Sequence, residues 1–214
     1  MSTGTGLFAA IVRWVREASG LAQAERIRLG AHDPWQRVDL VPPLRTFGPG
    51  ARDFADFLGG ECRVRCTTPV AVGEWLLACR YAEDAHLLDE VDHWLHPATF
   101  ELLRAGDCED FSLWAWRQLL ESGYRAAFVV GMRRMPNATT GRHAWVTYRD
   151  DGRDFLLDGV ERSIHRMIRP LDEVRDLYEP QVGAGERGDR FVYAGLYREA
   201  WGRQLRLRPG VERR

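Results

Sequence analysis

Three side chains in this sequence have the types and spacing that thiol acyl-transfer chemistry needs: Cys108, His143 and Asp158. Asp107 stands where a helix cap belongs, the pattern from Cys108 to about Glu121 is helical, and Gly123 occupies a C-terminal stop position. Cys108 therefore falls in the first turn, at the positive end of the helix dipole. That placement favours the thiolate, so the thiol pKa is expected below its free value of about 8.5. The backbone N–H of Cys108 is also available to an oxyanion. Downstream, Asp151-Gly152 is a two-residue hairpin signal between His143–Arg149 and Asp154–Asp158. With Asp151 and Gly152 at the turn centre, Thr147 faces Leu156 and Trp145 faces Asp158, which makes His143 the diagonal neighbour of Asp158 on one sheet face. A slip of one residue would put the two groups on opposite faces. An imidazole held in this way can take the thiol proton and later protonate a leaving amine, while the carboxylate fixes its tautomer and orientation.

Other residues near these three admit two readings. Asp107, Glu109 and Asp110 surround the cysteine with negative charge, which by itself opposes thiolate formation. They complement the helix N-terminus, or they are candidate calcium ligands, although three carboxylates fall short of the roughly 6–8 oxygens that Ca²⁺ takes. No cofactor is required by the cysteine chemistry itself. Trp94 is a candidate for lining the substrate groove or donating to the oxyanion, and equally a core aromatic. Gln118 lies inside the helix and is not expected to serve as an oxyanion donor. Cys62 and Cys66, with His93 and His96, lack the tighter pairing of zinc motifs and read as partly buried thiols.

The elements that must position the three residues follow from periodicity. Leu7, Phe8, Ile11, Val12, Val15, Ala18 and Leu21 recur at helical spacing, predicting an amphipathic helix. Residues 30–60 are rich in Pro and Gly and predict a loop-rich connection with a short helix near Asp53–Leu58. Helices are expected at about Val70–Ala82, Pro97–Arg104, Cys108–Glu121 and Leu171–Tyr178. Strands are expected at Ala126–Val130, His143–Arg149 and Asp154–Asp158, with an edge strand at Phe191–Tyr197. Met135–Gly141 and Pro180–Arg190 read as loops. The expected organisation is an N-terminal helix and loop-rich segment over 1–60, a catalytic domain over 61–200 and a basic tail over 201–214, with the class α+β.

Composition narrows the function classes. A chain of 214 residues with 45% hydrophobic and 29% charged residues supports one soluble domain with a real core. Net charge is −1, which argues against nucleic acid or an anionic membrane as partner. All 30 basic Lys+Arg residues are arginine, so the chain offers no lysine amine as an acyl acceptor. The first apolar stretch, Leu7–Val15, is broken by Arg13 and has no basic residue before it, unlike a signal peptide. Four sparse cysteines are expected as free thiols, which places the chain in a cytoplasm.

At Gly106-Asp107-Cys108-Glu109-Asp110-Phe111, His143-Ala144-Trp145 and Leu156-Leu157-Asp158, the sequence resembles the bacterial transglutaminase-like cysteine proteinases. Asp92-His93-Trp94-Leu95-His96-Pro97 is similar to the aromatic-then-proline stretch that these proteins carry before the nucleophile. The resemblance runs from about Val70 to Asp158. It implies a papain/transglutaminase-like core with the nucleophile helix packed on an antiparallel sheet, a Cys-His-Asp triad and cleavage of a protein or peptide substrate. Some relatives with the same acidic residues beside the cysteine bind calcium. Transfer of the acyl group to an amine passes through the same thioester, and a non-catalytic binding or scaffold protein on this fold is the reading from another class.

Overall fold

The computed structural model describes residues 23–27, 37–41, 54–88, 93–135 and 139–193. The amphipathic helix expected at Leu7–Leu21 and the basic tail lie outside them. An eight-stranded sheet runs through the chain in the order β1-β2-β10-β9-β5-β6-β7-β8. Its strands are β1 (Gln23–Ile27), β2 (Arg37–Val41), β5 (Arg125–Arg134), β6 (Thr140–Asp150), β7 (Arg153–Leu157), β8 (Ile168–Pro170), β9 (Tyr178–Ala184) and β10 (Arg190–Tyr193). Every pairing in this sheet is antiparallel. A separate parallel pair joins β3 (Arg80–Tyr81) to β4 (Ala105–Gly106). The helices are α1 (Phe54–Leu58), α2 (Pro69–Leu77), α3 (Asp84–Leu87), α4 (Pro97–Leu103), α5 (Cys108–Glu121), α6 (Ile164–Met167) and α7 (Leu171–Val174).

Helix α5 packs on β5 and β6 and is covered by α2 and α4 on its other sides. Almost the whole helix is buried, including Phe111, Trp114, Trp116 and Leu119. Trp114 stacks on Trp75 of α2 at 3.9 Å between centroids, and Phe100 of α4 lies against Phe111 at 4.9 Å. Several of the polar residues that this interior helix carries are engaged. Gln118 accepts from the Cys66 N–H at 3.0 Å and donates to the Val64 carbonyl at 3.2 Å. Arg117 donates to the carbonyls of Gly59 and Gly60, each at 2.6 Å. These bonds fasten the 59–66 loop to α5, because buried polar groups left unbonded would cost stability.

The hairpin forms in the expected register. Thr147 pairs with Leu156, Val146 with Leu157 and Asp150 with Arg153. Asp151 and Gly152 have φ of 45° and 78°, the paired positive values of a type I′ turn. Elsewhere the sheet is larger than periodicity indicated. The stretch read as a helix to Tyr178 and a loop from Pro180 contains only the short α7, followed by β9 in the middle of the sheet. Pro180 disguises this strand. It sits at the register shift opposite Val130 and Gly131, where an irregular ladder tolerates a residue without an N–H. Strand β2 likewise falls in the stretch read as loop-rich and pairs with β10, while α1 buries Phe54 and Phe57 in the main core.

Candidate active site

The turn at Gly106–Asp110 is built around one close approach. Asp110 is completely buried and folds back over the chain. Its Oδ2 accepts from the Asp107 N–H at 3.1 Å, and its Oδ1 accepts from the Leu95 N–H at 2.7 Å. A Cβ on Gly106 would meet the Asp110 Cβ at 2.8 Å, so only glycine leaves room for this capping box. The result fixes Cys108 as the first residue of α5, half-buried, with the Ala144 backbone of β6 close enough to the sulfur to favour its anion. Strand β6 thus brings the residue after His143 near the thiol.

His143 is buried, and its Nε2 lies 3.0 Å from Asp158 Oδ1 and 2.9 Å from Oδ2. Asp158 follows the last residue of β7 and is completely buried. Three residues around it were missed by sequence reasoning. The Tyr178 hydroxyl donates to Oδ2 at 2.6 Å, Arg133 Nη1 lies 2.9 Å from the same oxygen, and Glu161 pairs with Arg133. Burial alone would push the Asp158 carboxyl up, but the His143 ring, the Arg133 guanidinium and the Tyr178 hydroxyl outweigh it and hold the group below the usual carboxylate value. No local signal could have found Tyr178 and Arg133, because they reach Asp158 only once β9, β5 and β6 pair.

The cysteine departs from expectation. Its thiol pKa is raised well above the ordinary value rather than lowered. Burial is the first cause, and the Glu109 carboxylate is the second, its Oε2 accepting from the thiol at 3.1 Å. Helix-start placement does not overcome a buried like charge one residue away. Glu109 is itself buried, which raises its own pKa.

The acidic residues divide into two groups. The oxygens and sulfur of Asp107, Cys108 and Glu109 approach within 4.8 Å of one another, and so do the oxygens of Asp84, Asp107 and Asp110. Asp84, absent from the sequence reading, is buried on α3, accepts from the His93 N–H and has an Oδ1 with no hydrogen-bond partner among the described residues. Carboxylates massed on hard-oxygen geometry, one with an unspent buried oxygen, fit a hard cation such as calcium. Trp94 lies among aromatic rings, with centroids 6.2 Å from Phe54, 6.5 Å from Phe57 and 5.6 Å from Phe128. His96 caps α4, its Nδ1 accepting from the Ala98 N–H at 3.1 Å.

Residues 77–170 match the model of the bacterial transglutaminase-like cysteine proteinase family. No curated protein matches the chain. Among solved structures, Legionella pneumophila LapG is similar in its calcium-bound form, with 18% identity, 61% of this chain and 69% of that chain covered, and a TM-score of 0.42. The EGTA-treated form gives the same identity and TM-score over 67% of its length. A candidate cysteine protease from Cytophaga hutchinsonii is 14% identical over 64% of this chain and 52% of its own, with a TM-score of 0.37. The architecture is mixed, as expected, with a cysteine-led helix on an antiparallel sheet, and the family model matched over residues 77–170 is described as transglutaminase-like.

Proposed function

We propose that the chain, whose residues 77–170 match the model of the bacterial transglutaminase-like cysteine proteinases, hydrolyses peptide bonds in a protein or peptide substrate through a Cys108-His143-Asp158 triad. The observation that carries this reading is the buried His143–Asp158 hydrogen bond one residue from Ala144, whose backbone favours the Cys108 thiolate. With Nε2–H donated to Asp158, Nδ1 is the nitrogen left to take the thiol proton. The raised thiol pKa makes this a general-base step rather than use of a preformed thiolate. The sulfur then attacks the scissile carbonyl carbon, and the negative charge on its oxygen meets the Cys108 N–H at the start of α5. Collapse expels the amine, which takes the proton from Nδ1 and leaves a thioester. Water, deprotonated by the same nitrogen, cleaves the thioester and regenerates the thiol.

Asp84, Asp107 and Asp110 would hold calcium when it binds, with Glu109 at the adjacent group. The ion would supply positive charge beside the nucleophile turn. Among the described residues, no helix is long and apolar enough to cross a membrane. Four free thiols, one of them the nucleophile, suit the reducing cytoplasm in which we place the chain. Trapping substrates from a lysate with Cys108→Ala and then adding active enzyme with excess labelled primary amine tests the reading. Cleavage that depends on Cys108 is expected; label entering uncleaved substrate would instead make the protein an acyl transferase to amines.

A further inference from the structure

We propose that Tyr178 and Arg133 are positioning residues that fix the Asp158 carboxylate, ionised and unable to rotate, against His143. The inference rests on the triad reading above. Four neighbouring strands bring the groups into one row. Tyr178 opens β9 and pairs with Arg133 on β5, Gly131 of β5 pairs with His143 on β6, and Asp158 follows the end of β7. Both outer residues spend a donor on the same atom, Oδ2, at 2.6 Å from the tyrosine hydroxyl and 2.9 Å from the guanidinium.

The clamp residues are themselves held. The Tyr178 ring takes the edge of Trp145 at 5.2 Å and the Arg133 guanidinium over its face at 5.4 Å. Arg133 is anchored by Glu161, whose other oxygen lies 2.9 Å from Arg166 Nε. A fully buried carboxylate without such donors would be driven toward its neutral form, which accepts poorly from an imidazole. With Oδ2 pinned from the far side, the carboxylate cannot turn about its Cβ–Cγ bond. Both oxygens therefore stay within 3.0 Å of His143 Nε2. That geometry selects the Nε2–H tautomer and keeps Nδ1 unprotonated for the thiol. A purely structural ion pair between Arg133 and Glu161 would not require the tyrosine hydroxyl.

The test uses the full chain, with iodoacetamide as the probe of Cys108 and ¹⁵N NMR of labelled histidine as the report on the His143 tautomer. Tyr178→Phe keeps the ring packing, Arg133→Met removes the charge and Arg133→Lys keeps it. We expect Tyr178→Phe and Arg133→Met to slow Cys108 alkylation at neutral pH by about ten- to a hundredfold, the scale of a hydrogen bond to a charged group. The Nε2–H signature should be lost in both, and Arg133→Lys should restore part of each. Asp158→Asn separates the two levels of the argument. If it alters tautomer and rate while Tyr178→Phe and Arg133→Met do not, the clamp is wrong and the triad stands. If Asp158→Asn changes neither, the triad reading fails and the clamp with it. A loss of rate that follows melting temperature, with the tautomer unchanged, would make both residues merely structural.

Discussion

The Cys108 sulfur sits between opposing influences. The α5 dipole and the Ala144 N–H favour its anion, while burial and the Glu109 carboxylate oppose it and prevail. Glu109→Gln removes the like charge without removing the side chain. In the presence of EGTA, this variant should ionise at lower pH than the wild type and alkylate severalfold faster at neutral pH. Following iodoacetamide labelling against pH by mass spectrometry checks this; an unchanged profile would show that Glu109 does not govern the thiol. The same experiment ranks the cysteines. Cys62, Cys66 and Cys79 are buried whereas Cys108 is half-buried, so access should make Cys108 label first in the native protein although its own thiol is also pushed up. The sequence was informative about the pairing of His143 with Asp158 and misleading about the charge state of the thiol. Residue type and spacing identify a helix-start thiol, but its pKa depends on how deeply the neighbouring carboxylates are buried, and that is set by the whole core.

At the scale of elements, β5 and β6 must lie close enough for Gly131 to face His143 while β9 pairs along the other edge of β5. A Cβ on Gly131 would run into the Glu179 carbonyl oxygen and come within 2.7 Å of the Trp145 ring. Neither neighbour can give easily, one being backbone and the other a buried indole. Gly131→Ala should therefore destabilise the fold by about 1–3 kcal/mol, the cost of overpacking a filled core. For a chain of this size that lowers the melting temperature by about 2–4 °C per kcal/mol. Alkylation of Cys108 should slow as well, because Trp145 carries the strand that holds His143. A melting curve within a degree of wild type would show that β9 can shift to make room. The Asp151-Gly152 hairpin was legible because turn chemistry and register are local. Strand β9 was not, because Pro180 and two nearby glycines look like a loop until the bulge opposite Gly131 explains them.

At the scale of the molecule, three carboxylates from distant parts of the chain gather behind the turn that precedes Cys108, where Asp84 on α3 meets Asp107 and Asp110. Two of these three were legible from their adjacency to Cys108. Asp84 was not, since 23 residues separate it from Asp107 and only the β3–β4 pairing folds α3 onto the turn. Burial first, then the neighbouring Asp107 and Asp84 carboxylates, push Asp110 from an ordinary 3.8 to about 8. A carboxyl whose folded pKa is raised contributes its full stability below the unfolded value. That contribution is lost as pH climbs through about 8. With EGTA present, the melting temperature should accordingly fall between about pH 4 and about pH 8 and level off above it. Calcium should reverse the fall, because the ion binds the ionised carboxylates and competes with their protons. At a concentration about 100-fold above its dissociation constant it would add about 2.7 kcal/mol, or about 5–11 °C here. The gain should be largest near pH 9, shrink toward pH 5 and disappear in Asp84→Asn. Thermal melts at millimolar calcium across that range decide the matter: a wild type indifferent to calcium near pH 9, or an Asp84→Asn variant that still responds fully, would leave these carboxylates as capping groups of α5 and nothing more.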